Sequence, residues 1–129
     1  MTYINSEILY KRFLKFGMDS QKLVVNLPKT QYNLVYGNQL LRSSSSPGAN
    51  YIEAIEASSR KEFILKLKIC RRETKESIHW LTLINDSNKE IESIAKGCEL
   101  LTREAQEFIR IFTSSVLTAE KNRGIENGK

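Results

Sequence analysis

The sequence has few residues that break helices or cross-link chains: two prolines, six glycines and two cysteines among 129 residues. With so few breakers, long stretches can be helical without interruption. Cys70 and Cys98 lie in different predicted helices, and neither has a second Cys or a His at metal-ligand spacing. We therefore expect two buried, reduced thiols, a use of cysteine that is typical of the cytoplasm.

Signals for membrane insertion and export are also missing. No apolar run approaches the roughly 20 residues that a bilayer-spanning helix needs. The N-terminus has no basic segment followed by an apolar stretch, as a secretory signal would have. Hydrophobic residues make up 40% and charged residues 27% of the chain, which is ordinary for a folded domain. The sequence predicts a soluble cytoplasmic protein with one core and no membrane partner.

Histidine is scarce, and this removes most catalytic and metal-binding arrangements. His79 is the single histidine, and with Glu76 it forms the Glu-x-x-His spacing found at di-iron sites in helix bundles. Such a site needs a second copy of that motif, and a Ser-His-Asp or Cys-His device would depend on the same His79. Glycine-rich phosphate loops are absent as well. We predict no catalytic residues, no metal, no cofactor and no enzymatic activity.

What the chain does have is four amphipathic segments, which predict an all-α, antiparallel, up-down-up-down four-helix bundle over residues 1–121. Residues 122–129 show no pattern and are predicted to be a disordered tail. The predicted core positions recur at steps of three and four. They are Leu9, Phe13, Phe16, Ser20, Leu23 and Leu27 in the first helix; Leu34, Asn38, Leu41, Ser45, Ile52 and Ile55 in the second; Phe63, Leu67, Cys70, Thr74, Ser77 and Leu81 in the third; and Ile91, Ile94, Cys98, Leu101, Ala105, Phe108, Phe112 and Ser115 in the fourth.

Several local motifs predict where these helices begin and end. Pro28 ends the first helix. Ser-x-x-Glu capping boxes at 59–62 and 87–90 begin the third and fourth helices, with a turn at 85–87 between them. Ser46-Pro47 allows two interpretations. Local rules favour a break with Ser46 as the N-cap of a new helix, whereas a single helix kinked at Pro47 is the alternative.

The motifs of the second and third helices resemble the four-helix-bundle proteins named after the intervening sequences of 23S ribosomal RNA genes. The resemblance is most specific at Gly-Ala-Asn-x-x-Glu-Ala (48–54) and Ser-x-x-Glu-Phe (59–63), and it covers nearly the whole chain. It implies a bundle that assembles into a ring, typically a homopentamer, with no catalytic site. It also favours the kinked helix. The accessory variability determinants of retroelements are similar, and they imply a basic pentameric partner of a reverse transcriptase and of nucleic acid.

Positive charge is concentrated in the third helix. The chain has a net charge of +5, and residues 59–83 hold seven bases against three acids. Five side chains fall within roughly 60° of one another on one helix face. These residues, called here the basic row, are Lys61, Lys68, Arg72, Lys75 and His79. The first hypothesis is weak, sequence-indifferent contact with RNA or DNA, with no aromatic platform beside the row. The alternative is an ordinary solvated face.

A second, mixed face of the third helix carries apolar side chains, namely Leu65, Ile69, Trp80 and Leu83. A bundle helix needs only one buried stripe, so this face is predicted to be an interface with another copy or with a protein partner. Core expansion within one chain is the other explanation. The second functional hypothesis is therefore a self-assembling structural or protein-interaction module that does not contact nucleic acid.

Overall fold

The computed structural model describes the backbone of residues 4–127 and the side chains of residues 6–122. Four helices follow one another: α1 (Ile4–Val25), α2 (Gln31–Ile55), α3 (Arg60–Ser87) and α4 (Glu92–Asn127). Each helix packs on its neighbour in sequence, and α4 returns to α1 with the sparsest contact of the four seams. The predicted all-α antiparallel bundle is confirmed. Within residues 4–127, no helix is long and apolar enough to cross a membrane.

The C-terminal residues were predicted to form a disordered tail after the bundle. The helical backbone of α4 continues past residue 121 and ends at Asn127, although the sequence predicted an unpatterned tail there. Gly128 and Lys129 lie outside the described residues, as do the first three residues of the chain. The division into a bundle at 1–121 and a disordered tail at 122–129 stays a prediction.

Aromatic rings form the centre of the core. The ring centroid of Phe13 lies 4.9 Å from Tyr51, 4.7 Å from Phe108 and 4.9 Å from Phe112. The core stripe predicted for α1 is buried at all six positions, and those of α3 and α4 are buried except at half-buried Phe63, Ile91 and Ser115. The periodicity of these three helices therefore identified their inner faces correctly.

The core face predicted for α2 is wrong. Leu34 is 66% exposed and Ile52 is 46% exposed, whereas a face rich in small residues points inward. That buried face consists of Asn33, Gly37, Leu40, Ser43, Ser44, Pro47, Gly48, Tyr51 and Ala54. The reason is close approach to α1: a Cβ atom added at Gly17 would lie 3.4 Å from the Ser44 carbonyl oxygen. Small side chains permit this approach, and bulky ones would prevent it.

α2 is continuous through Pro47. The break with Ser46 as an N-cap, which local rules favoured, is therefore wrong, and the single helix through Pro47, which the resemblance favoured, is confirmed. Proline has no N–H to donate, yet the helix persists because Pro47 is buried in the bundle and its carbonyl oxygen accepts a hydrogen bond from Cys70 Sγ at 3.4 Å. The degree of bending at Ser46-Pro47 stays a prediction.

The first capping box is confirmed. Ser59 Oγ accepts from the Glu62 backbone N–H at 3.1 Å, and Glu62 Oε2 accepts from the Ser58 N–H at 2.8 Å. This backbone hydrogen bond, with a second from the Ser58 hydroxyl, lowers the pKa of Glu62. The first interaction satisfies an N–H group that the first turn of α3 would otherwise leave unpaired, and the second satisfies the N–H of the residue before the N-cap.

The second capping box and the turn predicted at 85–87 are wrong, because α3 runs to Ser87 and α4 begins at Glu92. The cause is Asn88, which is buried and pairs with Asn33 at the end of the bundle. Each amide donates to the other's oxygen, at 3.0 Å and 2.9 Å. Asn88 Nδ2 also donates to the Ile84 carbonyl oxygen at 2.7 Å, which satisfies the end of α3.

Candidate nucleic-acid interface

The basic row lies on the outer face of α3, opposite the buried stripe of that helix, and all five of its side chains are exposed. From Lys61 to His79 the row extends about 27 Å along the helix, at 1.5 Å per residue. Lys68 Nζ pairs with Glu120 Oε2 of α4 at 3.2 Å. Lys61, Arg72 and Lys75 form no ion pair within the described side chains. The structure thus brings the five predicted residues together, and three of their cations have no ion pair with the side chains of residues 6–122.

Three acids of α3 have partners on the side of the helix away from the basic row. Arg42 of α2 pairs with Glu73 at 2.9 Å and also with Glu76. Glu62 accepts its hydrogen bonds from Ser58 at the start of the helix. Three of the four acids of α3 thus face α2 or the N-terminal cap, and the fourth, Asp86, lies beyond the row and pairs with Lys89 at 3.1 Å. The positive potential along Lys61, Arg72 and Lys75 is therefore little reduced by the acids of the same helix.

The mixed face predicted as an interface does not form one uncovered patch. Leu65 is 56% exposed, whereas Ile69, Trp80 and Leu83 are half-buried. Trp80 already has partners within the chain, since its ring lies 6.1 Å from that of Tyr36 on α2. The assignment of these four residues to an oligomer interface stays a prediction, and Trp80 belongs to the seam between α2 and α3.

Sequence reasoning missed a chain of aromatic rings, called here the aromatic ladder, that ends at the basic row. Its centroid distances are 6.4 Å from Tyr32 to Tyr36, 6.1 Å from Tyr36 to Trp80 and 4.7 Å from Trp80 to His79. The expectation that no aromatic group accompanies the row is therefore wrong. The spacing of Tyr32 and Tyr36 by one helical turn was a signal, but only the pairing of α2 with α3 adds Trp80.

A second feature missed from the sequence is a groove of about 420 Å³ between the outer faces of α1 and α2, called here the apolar groove. Leu14, Met18 and Ile52 are 45%, 47% and 46% exposed along it. Its lining residues are Tyr10, Phe13, Leu14, Gly17, Met18, Gln21, Leu41, Ser45, Gly48, Ala49 and Ile52. Most of the large exposed apolar side chains described lie on α1 and α2. The sequence did hold a signal for this groove, namely the apolar stripe of α2 that was predicted to be core. Part of that stripe lines the groove instead.

The groups considered for metal binding and catalysis have other partners. Glu76 of the Glu-x-x-His pattern accepts a hydrogen bond from Trp80 Nε1 at 2.9 Å and pairs with Arg42. Among the described side chains, no group of three His, Cys, Asp or Glu residues is placed to hold a metal ion. Burial raises the pKa of Cys70 to about 12 and that of Cys98 to about 11. At neutral pH both thiols are therefore protonated, and neither is an activated nucleophile.

Comparisons with known proteins identify the family. The family model described as 23S rRNA-intervening sequence protein matches residues 6–114. The fold is similar to a crystal structure from Bacteroides thetaiotaomicron VPI-5482, described as a protein with unknown function from the S23 ribosomal protein family. That likeness has 28% sequence identity and a TM-score of 0.76, and it covers 87% of this chain and 97% of the other. A comparison with curated proteins gives no match. The chain belongs to the 23S rRNA-intervening sequence protein family.

Proposed function

We propose that this protein is a non-enzymatic, self-associating helix bundle that binds the phosphate backbone of RNA or DNA through the basic row. The observation that carries the proposal is the arrangement of charge on α3. Lys61, Arg72 and Lys75 face outward without an ion pair among the described side chains, while the acids of the same helix are paired elsewhere. Cations held in this way replace the counterions that condense on a phosphate backbone, and the release of those counterions favours binding.

The geometry favours contact that is indifferent to base sequence. Long, exposed cations on a convex helix surface reach phosphates, whereas reading base edges requires polar groups placed inside a groove. RNA and DNA are to be tested side by side, because the cations of the row reach the phosphates of either. In a ring of the kind that the resemblance implies, several basic rows would act on the same strand, and this would add avidity.

Salt dependence is the measurement that tests the proposal. Fluorescence anisotropy with labelled RNA and DNA oligonucleotides of unrelated sequences is expected to give similar affinities at equal length. On duplex DNA the slope of log K against log salt is expected to be about −3 to −4 per chain, since three or four lysine and arginine contacts each contribute about −0.9. On single strands it is expected to be about −2 to −3, since each contact contributes about −0.7. Absence of binding at low salt, or an affinity that salt leaves unchanged, would contradict the proposal.

The apolar groove supports a second candidate, a self-assembling module that does not contact nucleic acid. α2 carries two stripes, of which the one rich in small residues is buried and the one containing Leu41 and Ile52 lies outside. Burial of such an outer stripe by another copy would remove apolar surface from water. The groove lies between α1 and α2, away from the outer face of α3, so self-association there leaves the basic row accessible.

Light scattering distinguishes the apolar groove from the mixed face of α3 as the surface through which copies of the chain associate. The wild-type mass is expected to be a multiple of the 14.9 kDa chain, and the double variant Leu14→Glu/Met18→Glu is expected to be a monomer. Both replaced side chains are about half exposed, so the variant should remain folded. Leu65→Glu on α3 is the matched control and should leave the mass unchanged. Dissociation by Leu65→Glu alone would instead support the interface predicted on α3, and a wild-type monomer would reject self-association.

A further inference from the structure

The aromatic ladder and the basic row meet at one residue. His79 is the last member of the row, and its ring and that of Trp80 form a T-shaped pair with centroids 4.7 Å apart and an interplanar angle of 72°. Lys75 lies about one helical turn before His79, and Arg72 lies about two turns before it. A strand that follows the row therefore arrives at the ladder, which crosses from α3 to α2 through Trp80, Tyr36 and Tyr32.

Part of the surface of the ladder reaches solvent, and the ring of Trp80 at its centre is fixed in orientation. Tyr32 is 45% exposed, and Tyr36 and Trp80 are half-buried. Trp80 is held by its hydrogen bond to Glu76 at 2.9 Å, and Glu76 is held in turn by Arg42. A ring that is already oriented loses little conformational freedom when it binds a planar partner. Arg42, which is shared with Glu73, also offsets part of the negative charge of Glu76, which repels phosphates close to Trp80.

A cation row and an aromatic ladder select different features of a nucleic acid. Cations attract the phosphates of single strands and of duplexes alike. Aromatic rings stack on bases, and the faces of bases are available only where they are unpaired, because in a duplex each base is covered by its neighbours. Stacking is tolerant of base identity, so it adds preference for strandedness without sequence readout.

We infer that the combined site on α2 and α3 is built for single-stranded nucleic acid, whose backbone follows the basic row while its unpaired bases stack on the aromatic ladder. This inference rests on the proposed nucleic-acid binding and names the form of the partner. Stacking of a single base corresponds to about a tenfold gain in affinity, within the range known for base–aromatic contacts. We therefore expect the protein to bind single strands at least about tenfold more tightly than duplexes.

The test compares a single-stranded RNA of about 16 nucleotides with the duplex of the same sequence, both titrated with the full chain. Anisotropy gives the two affinities. Trp80 is the single tryptophan of the chain, so its fluorescence reports directly on the ladder. We expect single-stranded RNA to quench this fluorescence strongly and duplex RNA to change it little.

Two matched double variants isolate the rings without altering formal charge. Tyr32→Leu/Tyr36→Leu removes two rings of the ladder and is expected to weaken single-strand binding about tenfold while leaving duplex binding unchanged. Tyr32→Phe/Tyr36→Phe retains the rings and should keep the wild-type preference. If the leucine double variant does not fold, Tyr32→Leu alone, at a residue that is 45% exposed, should still reduce the preference severalfold.

The possible outcomes separate this inference from the proposed function. Equal wild-type affinity for single strands and duplexes, or an equal loss of both in the leucine variants, overturns the role of the ladder. In that case salt-dependent binding through the basic row would still support the proposed function. If neither RNA binds at low salt, both the inference and the proposed function are overturned. A protein partner at the ladder would then explain why its rings are exposed.

Discussion

The double variant Arg72→Glu/Lys75→Glu is expected to weaken binding of duplex DNA by about 60-fold or more at 0.1 M salt. Each phosphate contact contributes about 0.9 to log K per tenfold change in salt, so the loss of two contacts removes about 1.8 log units at 0.1 M. The two glutamates add repulsion to this loss. The salt slope should become shallower by about 2, and anisotropy titrations over a range of salt concentrations measure both quantities.

The matched control changes the same amount of charge elsewhere. Lys22 of α1 and Lys96 of α4 are exposed and lie outside the basic row. Two reversals change the net charge by −4 in either variant, so +5 becomes +1 in both. Lys22→Glu/Lys96→Glu should therefore lose affinity only through the weaker overall field. Equal losses in the two variants would show that net charge, and not the basic row, attracts nucleic acid.

Replacement of Phe108 by alanine is expected to lower the free energy of unfolding by about 3–5 kcal/mol, the usual cost of emptying a large aromatic site in a core. Phe108 is 0% exposed, and its ring meets that of Phe13 at 4.7 Å and that of Phe16 at 5.4 Å. Edge-to-face contacts of this kind add to the loss of buried area. A loss of this size is a large share of the ~5–15 kcal/mol that stabilises a typical domain.

Denaturant unfolding followed by circular dichroism measures this effect, at a fixed protein concentration because self-association shifts apparent stability. Phe108→Leu is the matched control, since it keeps most of the volume and should cost under about 1.5 kcal/mol. A cost below that value for Phe108→Ala would mean that the surrounding helices close the cavity. Arg12 would then be the first group to examine, because its guanidinium lies 5.4 Å over this ring and pairs with Glu104 at 2.8 Å.

The Arg12–Glu104 pair also explains how the sparsest seam of the bundle is held. Two hydrogen bonds join the guanidinium of α1 to the carboxylate of α4, at 3.1 Å and 2.8 Å. The hydrogen bond to Glu104 raises the pKa of Arg12, which therefore stays charged at any physiological pH. With α1 attached in this way, the bundle holds the apolar groove between α1 and α2 and the basic row of α3 as separate surfaces.

The sequence determined the helices, their order and three of their four inner faces. α1 and α4 each have a single strongly apolar face, which includes Phe13 and Phe16 in α1 and Phe108 and Phe112 in α4. The periodicity of these residues was therefore sufficient to identify the inner face of each helix. It also determined the basic row, because residues three and four positions apart share a helix face whatever the helix packs against. The break at Ser46-Pro47 and the second capping box failed because tertiary burial of Pro47 and Asn88 overrides local preference.

Only the tertiary structure decided which face of α2 lies inside and which residues of distant helices meet. α2 offers one stripe that is more apolar and one that is smaller, and close approach at Gly17 and Ser44 selects the smaller one. Hydrophobicity along a single chain cannot reveal this choice, because it depends on the distance between two backbones. The aromatic ladder has the same origin: Tyr36 and Trp80 are separated by 44 positions and become neighbours only through the packing of α2 on α3.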